Sequence, residues 1–342
     1  MIVENLEFRE GEPFKRNDLI KLKAFLNKMG LDYNRDIEYS LMYLYEGEVV
    51  ATGSLSSSIL VCFAIDPKFQ GENLSTSVLT KLLYKAHLNN IKTLYIFTKP
   101  KNVKFFVQSG FTEIIESKSV ALLCNDRNVI KSYIESVKSQ ISSFDLGNCV
   151  VGSIVMKADP FTLGHQYLVK TASLTCDLLI IFVVEEGNTH FSYKRRFDLV
   201  KKGVSNIDNV VVVGTQSLMV SPLTFPSYFY KGKTEREKVE SNIELDLNIF
   251  SSLIAKDLHI SKRYFGTEPY SETTNIYNTM MHKILSKNGI EAIEIERLKE
   301  GNKYISATTV REDISNNDFA SLSKIVPLST FEELKKLEIP NG

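Results

Sequence analysis

The sequence predicts an α/β protein with two domains, an N-terminal α+β domain and then a parallel-sheet domain. Three observations predict this. At 342 residues the chain is longer than one hydrophobic core ordinarily serves. Its first third sets strand-like runs in hairpin order. Its second half alternates apolar strand-length runs with amphipathic helix-length runs, the pattern of parallel strands joined by helical crossovers.

From the N-terminus, apolar spacing predicts a helix over Asn17–Met29, with Asn17 as cap, Leu19, Ile20, Leu22, Phe25 and Leu26 as its apolar positions, and Gly30 as the stop. Tyr39–Tyr45 and Val49–Leu55 read as strands joined by a Glu46-Gly47 turn. Ile59–Ile65 is a third strand, ended by Asp66-Pro67. Gln70-Gly71 opens a loop and Leu74–His87 is a periodic helix. A strand at Thr93–Thr98 and a short helix at Val103–Gln108 follow. Asn125–Ser143 reads as an amphipathic linker helix with Val129, Ile130, Tyr133, Val137 and Ile141 on one stripe.

The second half turns on Val150–Leu168. Val150–Met156 is a buried strand rich in β-branched residues, broken by Asp159-Pro160. From Gln166 the spacing is that of a helix packed on a sheet. Gly164 and His165 therefore stand at a helix N-terminus, whose unpaired N–H groups and partial positive charge seat a phosphate. Gly164 admits close approach of an anion, and His165 adds an N–H donor. Strands at Leu178–Val184, Val210–Val213, up to Gly266 and at Ala292–Glu296 alternate with helices at Tyr193–Lys202 and Asn275–Leu285. Together they make a Rossmann-like sheet whose ligand end is the carboxyl edge.

Lysine plus arginine and aspartate plus glutamate each number 41, so net charge is zero. This argues against nucleic-acid binding by bulk charge. No run is long enough to span a bilayer and the first residues are mixed and acidic, so a soluble cytoplasmic protein is expected. Cys62, Cys124, Cys149 and Cys176 lie singly in apolar surroundings and read as buried small hydrophobes. No clustered His/Cys/Asp set suggests a tightly held metal.

Thr162-Leu163-Gly164-His165 after Asp159-Pro160-Phe161 resembles the T/HxGH signature of the nucleotidylyltransferase superfamily. Ile305-Ser306-Ala307-Thr308-Thr309-Val310-Arg311 resembles its ISSTxxR motif. The resemblance implies attack on the α-phosphorus of ATP with release of pyrophosphate, chemistry that rests on positioning and charge neutralisation. His165 would donate to phosphate oxygens, and Thr162 would contribute a contact nearby. Phe161 and Gly164 belong to the same nucleotide loop. Ser306 would cap the helix whose start, with the Thr308 hydroxyl, holds the outer phosphates. Arg311 would pair with the leaving pyrophosphate. Lys157 is a further cationic candidate in the loop, as is Arg196 on the following helix. Gly266-Thr267-Glu268-Pro269 follows a strand and reads as a nucleotide contact or as a plain turn. His190 is a loop candidate. Mg²⁺ is expected to travel with the triphosphate.

The strand, Asp-Pro-x-x-Gln-Gly loop and helix around Gln70 and Gly71, with Phe105–Phe111, resembles the GNAT acetyltransferase fold and its acyl-CoA loop. Where that pattern has small residues, this chain has Asn73 and Ser75. Residues 1–125 read either as a CoA- or pantetheine-binding domain or as a retained scaffold. The two parts together resemble the citrate (pro-3S)-lyase ligase family. The matching stretches are Gln70-Gly71-Glu72, Phe97–Pro100, Ala158–His165, Thr224–Phe229, Phe265–Pro269 and Ile305–Thr308, with Lys157 a departure from the Asn of some relatives. The implied organisation is a GNAT-like domain over 1–125, a linker helix over 126–147 and a nucleotidylyltransferase domain over 148–342. The implied reaction uses ATP and acetate to acetylate the thiol of the citrate lyase acyl-carrier subunit through acetyl-AMP, with Pro222–Tyr230 as the candidate acetate pocket. The other readings are an adenylyltransferase that makes a nucleotide-linked cofactor, and a non-catalytic acyl-CoA-binding regulator.

Overall fold

The strand-forming runs of the first part pair into one mixed sheet. The computed structural model describes residues 5–34, 36–117, 120–185, 189–221 and 234–336. The chain clusters into two units, one of Met1–Val129 with Pro226–Lys238, the other of Ile130–Phe225 with Val239–Gly342.

The first unit runs β1 (Glu7–Gly11), α1 (Arg16–Lys28), β2 (Tyr39–Tyr45), β3 (Glu48–Ser56), β4 (Ile59–Ile65), α2 (Leu74–Leu88), β5 (Tyr95–Thr98), α3 (Val103–Gln108), β6 (Thr112–Glu116) and β7 (Ala121–Cys124). Its sheet order is β1-β2-β3-β4-β5-β7-β6. Only β4 and β5 are parallel in it. Glu46 and Gly47 both take positive φ, which matches the twist a two-residue hairpin turn needs. Helix α2 packs on the sheet over Gly53, where a Cβ would meet Leu82 and Val78 at 2.7 and 2.8 Å. Leu41, Leu55, Val78, Leu82, Ile96 and Leu123 share the resulting core. This is the GNAT-like α+β arrangement that the resemblance implied.

The second unit continues with α4 (Val129–Gln140), β8 (Val151–Met156), α5 (Leu163–Ser173), β9 (Leu178–Val183), α6 (Tyr193–Gly203), β10 (Val210–Gly214), α7 (Glu235–Ile249), β11 (Ile260–Gly266), α8 (Glu272–Lys287) and β12 (Glu291–Ile295). A small hairpin follows, β13 (Lys299–Glu300) and β14 (Lys303–Tyr304), and then α9 (Ala307–Ser315), α10 (Phe319–Ile325) and α11 (Leu328–Lys335). The five-stranded sheet is wholly parallel, in the order β10-β9-β8-β11-β12. Strand order reverses between β8 and β11, the position where such sheets bind ligands beyond their carboxyl ends. The residues after β8 and β11 are the signature loop and Gly266–Pro269.

Some local expectations change. Helix α1 is capped by Lys15 and starts before Asn17, so the Asn17 side chain stands inside the first turn. The helix expected over 125–143 is shorter, and it is packed: Tyr133, Ile134 and Val137 are buried and the Tyr133 hydroxyl donates to the Gly214 carbonyl at 2.9 Å. Cys62 and Cys124 are buried, whereas Cys149 and Cys176 are only partly covered; all four thiols are free. Among the described residues no helix is long and apolar enough to cross a membrane.

Candidate active site

Thr162 leaves the strand-to-helix loop in an extended conformation and caps α5. Its hydroxyl accepts from the His165 N–H at 3.3 Å, and its own backbone N–H donates to His165 Nδ1 at 3.1 Å. The first helical turn is thereby closed on both sides, with histidine in the place a glutamate usually takes. An Nδ1 that accepts a backbone N–H leaves the ring proton on Nε2. Desolvation, with the positive charge of Arg297, pushes the imidazole down to about 4. His165 is thus a neutral N–H donor at ordinary pH. Its ring lies 5.7 Å from that of Phe161 at an interplanar angle of 18°. Phe161 is fully buried and rests on Gly203, where any Cβ would collide with it. Phe161 supports the histidine from beneath.

The second motif comes to the same place. A Cβ on Gly164 would lie 3.3 Å from the Ile305 carbonyl oxygen, so the glycine lets the two segments touch. Ser306 caps α9, its Oγ accepting from the Thr309 N–H at 3.1 Å. Arg311, one turn into α9, donates through Nη1 to the Asp159 carbonyl at 2.6 Å and through Nη2 to Thr308 Oγ1 at 3.0 Å. Asp159 is fixed in turn: its carboxylate accepts the N–H groups of His190 and Phe191, each at 2.9 Å. Burial opposes the Asp159 charge, but these donors, the His190 ring and nearby Arg311 outweigh it and hold the carboxyl below its usual range. His190 therefore serves as a clamp on the signature loop.

Arg196 differs from its reading as a phosphate-facing cation. It is fully buried, and its guanidinium donates to the carbonyls of Lys157 at 2.5 Å, Phe191 at 3.2 Å and Glu185 at 3.3 Å. It ties the loop after β8 to the loop after β9, whose carbonyls it satisfies. Lys157 itself is exposed.

Glu268 pairs with Arg297 through Oε2 at 2.5 Å and accepts the N–H groups of Tyr270 and Ser271 through Oε1 at 3.0 and 3.1 Å. The Arg297 N–H donates to Thr267 Oγ1, and the Arg297 side chain passes over Gly266, where a Cβ would meet its Cγ at 3.5 Å. Arg297 and Asp159 belong to this cluster and were missed from sequence. The signal for Arg297 was its place between a strand and the second motif. Gln70 and Gly71 belong to the first unit, where Gly71 and Asn73 both take positive φ. Pro222–Tyr230 and Thr224–Phe229 lie outside the described residues. Among the described residues no group of three His, Cys, Asp or Glu side chains is arranged to hold a metal ion.

Strands β4 and β5 pair only at Ile59 with Tyr95 and Leu60 with Ile96. Beyond these the strands part, and a cavity of about 460 Å³ opens in the first unit, lined by Leu60, Phe63, Phe97, Phe105 and Phe106 among others.

Comparison with known proteins agrees with this geometry. Residues 151–334 match the family model described as the citrate lyase ligase C-terminal domain. The citrate (pro-3S)-lyase ligase of Klebsiella pneumoniae is 35% identical over 342 residues, covering 98% of this chain and 97% of that protein. The corresponding ligase of Haemophilus influenzae is 32% identical over 332 residues, covering 94% and 96%. A phosphopantetheine adenylyltransferase of Limosilactobacillus reuteri is 27% identical over 133 residues, 38% of this chain and 75% of its own. With its signature loop and second motif in contact and its similarity running almost end to end, the chain belongs to the citrate lyase ligase family.

Proposed function

We propose that this chain activates citrate lyase by acetylating the thiol of the acyl-carrier subunit, with ATP and acetate as co-substrates and AMP and pyrophosphate as products. One acetate oxygen attacks the α-phosphorus of ATP. The bond from that phosphorus to the bridging oxygen breaks, pyrophosphate leaves and acetyl-AMP forms. The carrier thiol, losing its proton, then attacks the acetyl carbonyl, and AMP leaves. ATP enters with its Mg²⁺, which screens the triphosphate.

The observation that carries this reading is the contact of two segments far apart in sequence, through Gly164 with Ile305 and Arg311 with Asp159. In it His165 Nε2 donates to the α-phosphate as charge grows there, and Thr162 sets the ring. Gly164 and the first turn of α5 receive phosphate oxygens. Ser306, Thr308 and Arg311 hold the outer phosphates, and Arg311 follows the pyrophosphate as it leaves. Lys157 adds charge at the loop. The Glu268–Arg297 pair and Gly266 border the nucleotide. Phe161 acts by supporting His165.

The two parts divide the work. Residues 148–342 make the acetyl-adenylate. Residues 1–125 hold the carrier's pantetheine-type arm in the cavity between β4 and β5, which Gln70, next to Gly71 in sequence, helps to line. Acetate-dependent exchange of labelled pyrophosphate into ATP, without carrier, tests the first step; its absence overturns the reading. The phosphopantetheine adenylyltransferase relative favours one alternative, transfer of AMP onto a phosphorylated arm. That reaction yields a dinucleotide and no AMP.

A further inference from the structure

The cavity of the first unit has an uneven rim. Most of the side chains that line it are apolar, and among the described residues no aspartate or glutamate is one of them. One lip carries Gln70 and Ser75, next to Asn73, which takes the left-handed conformation at φ 57° and gives α2 no side-chain cap. A second lip is the turn after β5, with Lys99 and Lys101 on either side of Pro100. The Asn102 side chain donates to Thr98 Oγ1 at 3.2 Å and pins this turn. Both lysines are exposed, and among the described residues neither has an ion-pair partner. Two exposed cations on a pinned turn that lines a mainly apolar cavity complement an elongated ligand with an anionic end.

We propose that Lys99 and Lys101 are the phosphate anchors for a phosphopantetheine-type arm whose apolar length lies in the cavity. This rests on the reading that the acceptor thiol is carried on such an arm. The larger Asn73 side chain on the first lip leaves the lysine lip to supply the charge. Cys62 also lines the cavity, and burial pushes its thiol up to about 11. The cavity is built to hold the arm.

The test is calorimetric titration of the full-length protein with 4′-phosphopantetheine and with pantetheine, which lacks the phosphate. Wild type should bind the phosphorylated ligand about tenfold more tightly. Lys99→Gln with Lys101→Gln should bring the two affinities within about twofold while pantetheine affinity holds, and Lys99→Arg with Lys101→Arg should restore the preference. Equal affinity in wild type, binding of neither ligand, or an equal loss for both in the glutamine variant would overturn the proposal. Pyrophosphate exchange by wild type is scored separately: its absence defeats the acetate-activating reading and leaves a measured phosphate preference standing.

Discussion

The Arg311 guanidinium donates to the Asp159 carbonyl at 2.6 Å, joining residues 152 positions apart. Asp159 is itself held by the N–H groups of His190 and Phe191, so the arginine docks on a fixed loop. Arg311→Ala should lower acetate-dependent pyrophosphate exchange by about a hundredfold or more. Arg311→Lys should recover little of it, because an ammonium cannot reach the Asp159 carbonyl and Thr308 in the same planar fork. Exchange rates for the two variants decide the point, and a lysine variant near wild type would refute it.

The pH dependence of exchange should reflect a neutral His165. With the imidazole pushed down to about 4, exchange should lack a histidine limb near neutrality and fall only as pH approaches that value. Arg297→Gln removes a positive neighbour, so the folded value should rise and the acid limb should move upward. The move is partial because desolvation is the larger cause. Stability follows the same group. Between the ordinary value of 6.5 and the folded value of about 4, the unfolded chain binds the additional proton. The contribution of His165 is therefore whole above 6.5 and declines as pH falls through this window. Rate and urea-midpoint profiles of wild type and R297Q measure both effects.

Arg196→Met should destabilise the protein by about 3 kcal/mol, since three loop carbonyls lose a charged donor in a buried setting. Urea denaturation reads this directly. A loss confined to activity, with stability unchanged, would return Arg196 to the role of a ligand contact.

Gly203→Ala should act on the site from below. The new methyl displaces Phe161, whose ring supports His165. A stability loss of about 1–3 kcal/mol is expected, with a fall in exchange out of proportion to it when folded protein is assayed. An unchanged specific activity of the folded fraction would show that Phe161 does not position the histidine.

Much of this site was legible because its chemistry is local. Thr162, Gly164 and His165 lie within four residues, and a strand, a breaker and a helix start frame them. Ser306 was readable as a cap for the same reason. Arg297 and Asp159 act through partners far away in sequence, so no spacing rule reveals them. Arg196 shows the converse: a cation on a charged helix reads as a site candidate, yet it turns inward because the crossing loops leave carbonyls to satisfy. Helix α7 was missed because Asn242 and Asp246 interrupt its apolar face. Asp246 is buried, accepting from the Tyr277 hydroxyl at 2.5 Å and the Val220 N–H at 2.6 Å. Strands β6 and β7 are short, and the sequence between them holds no Gly, Pro, Asn or Asp to mark a hairpin turn.

Acetate labelled with ¹⁸O tests the central chemistry most directly. With ATP and the acyl carrier present, a carboxylate oxygen that attacks the α-phosphorus stays behind when the thiol takes the acetyl group. The AMP released should carry one ¹⁸O atom, read by mass spectrometry. Unlabelled AMP formed alongside acetylated carrier would contradict the account.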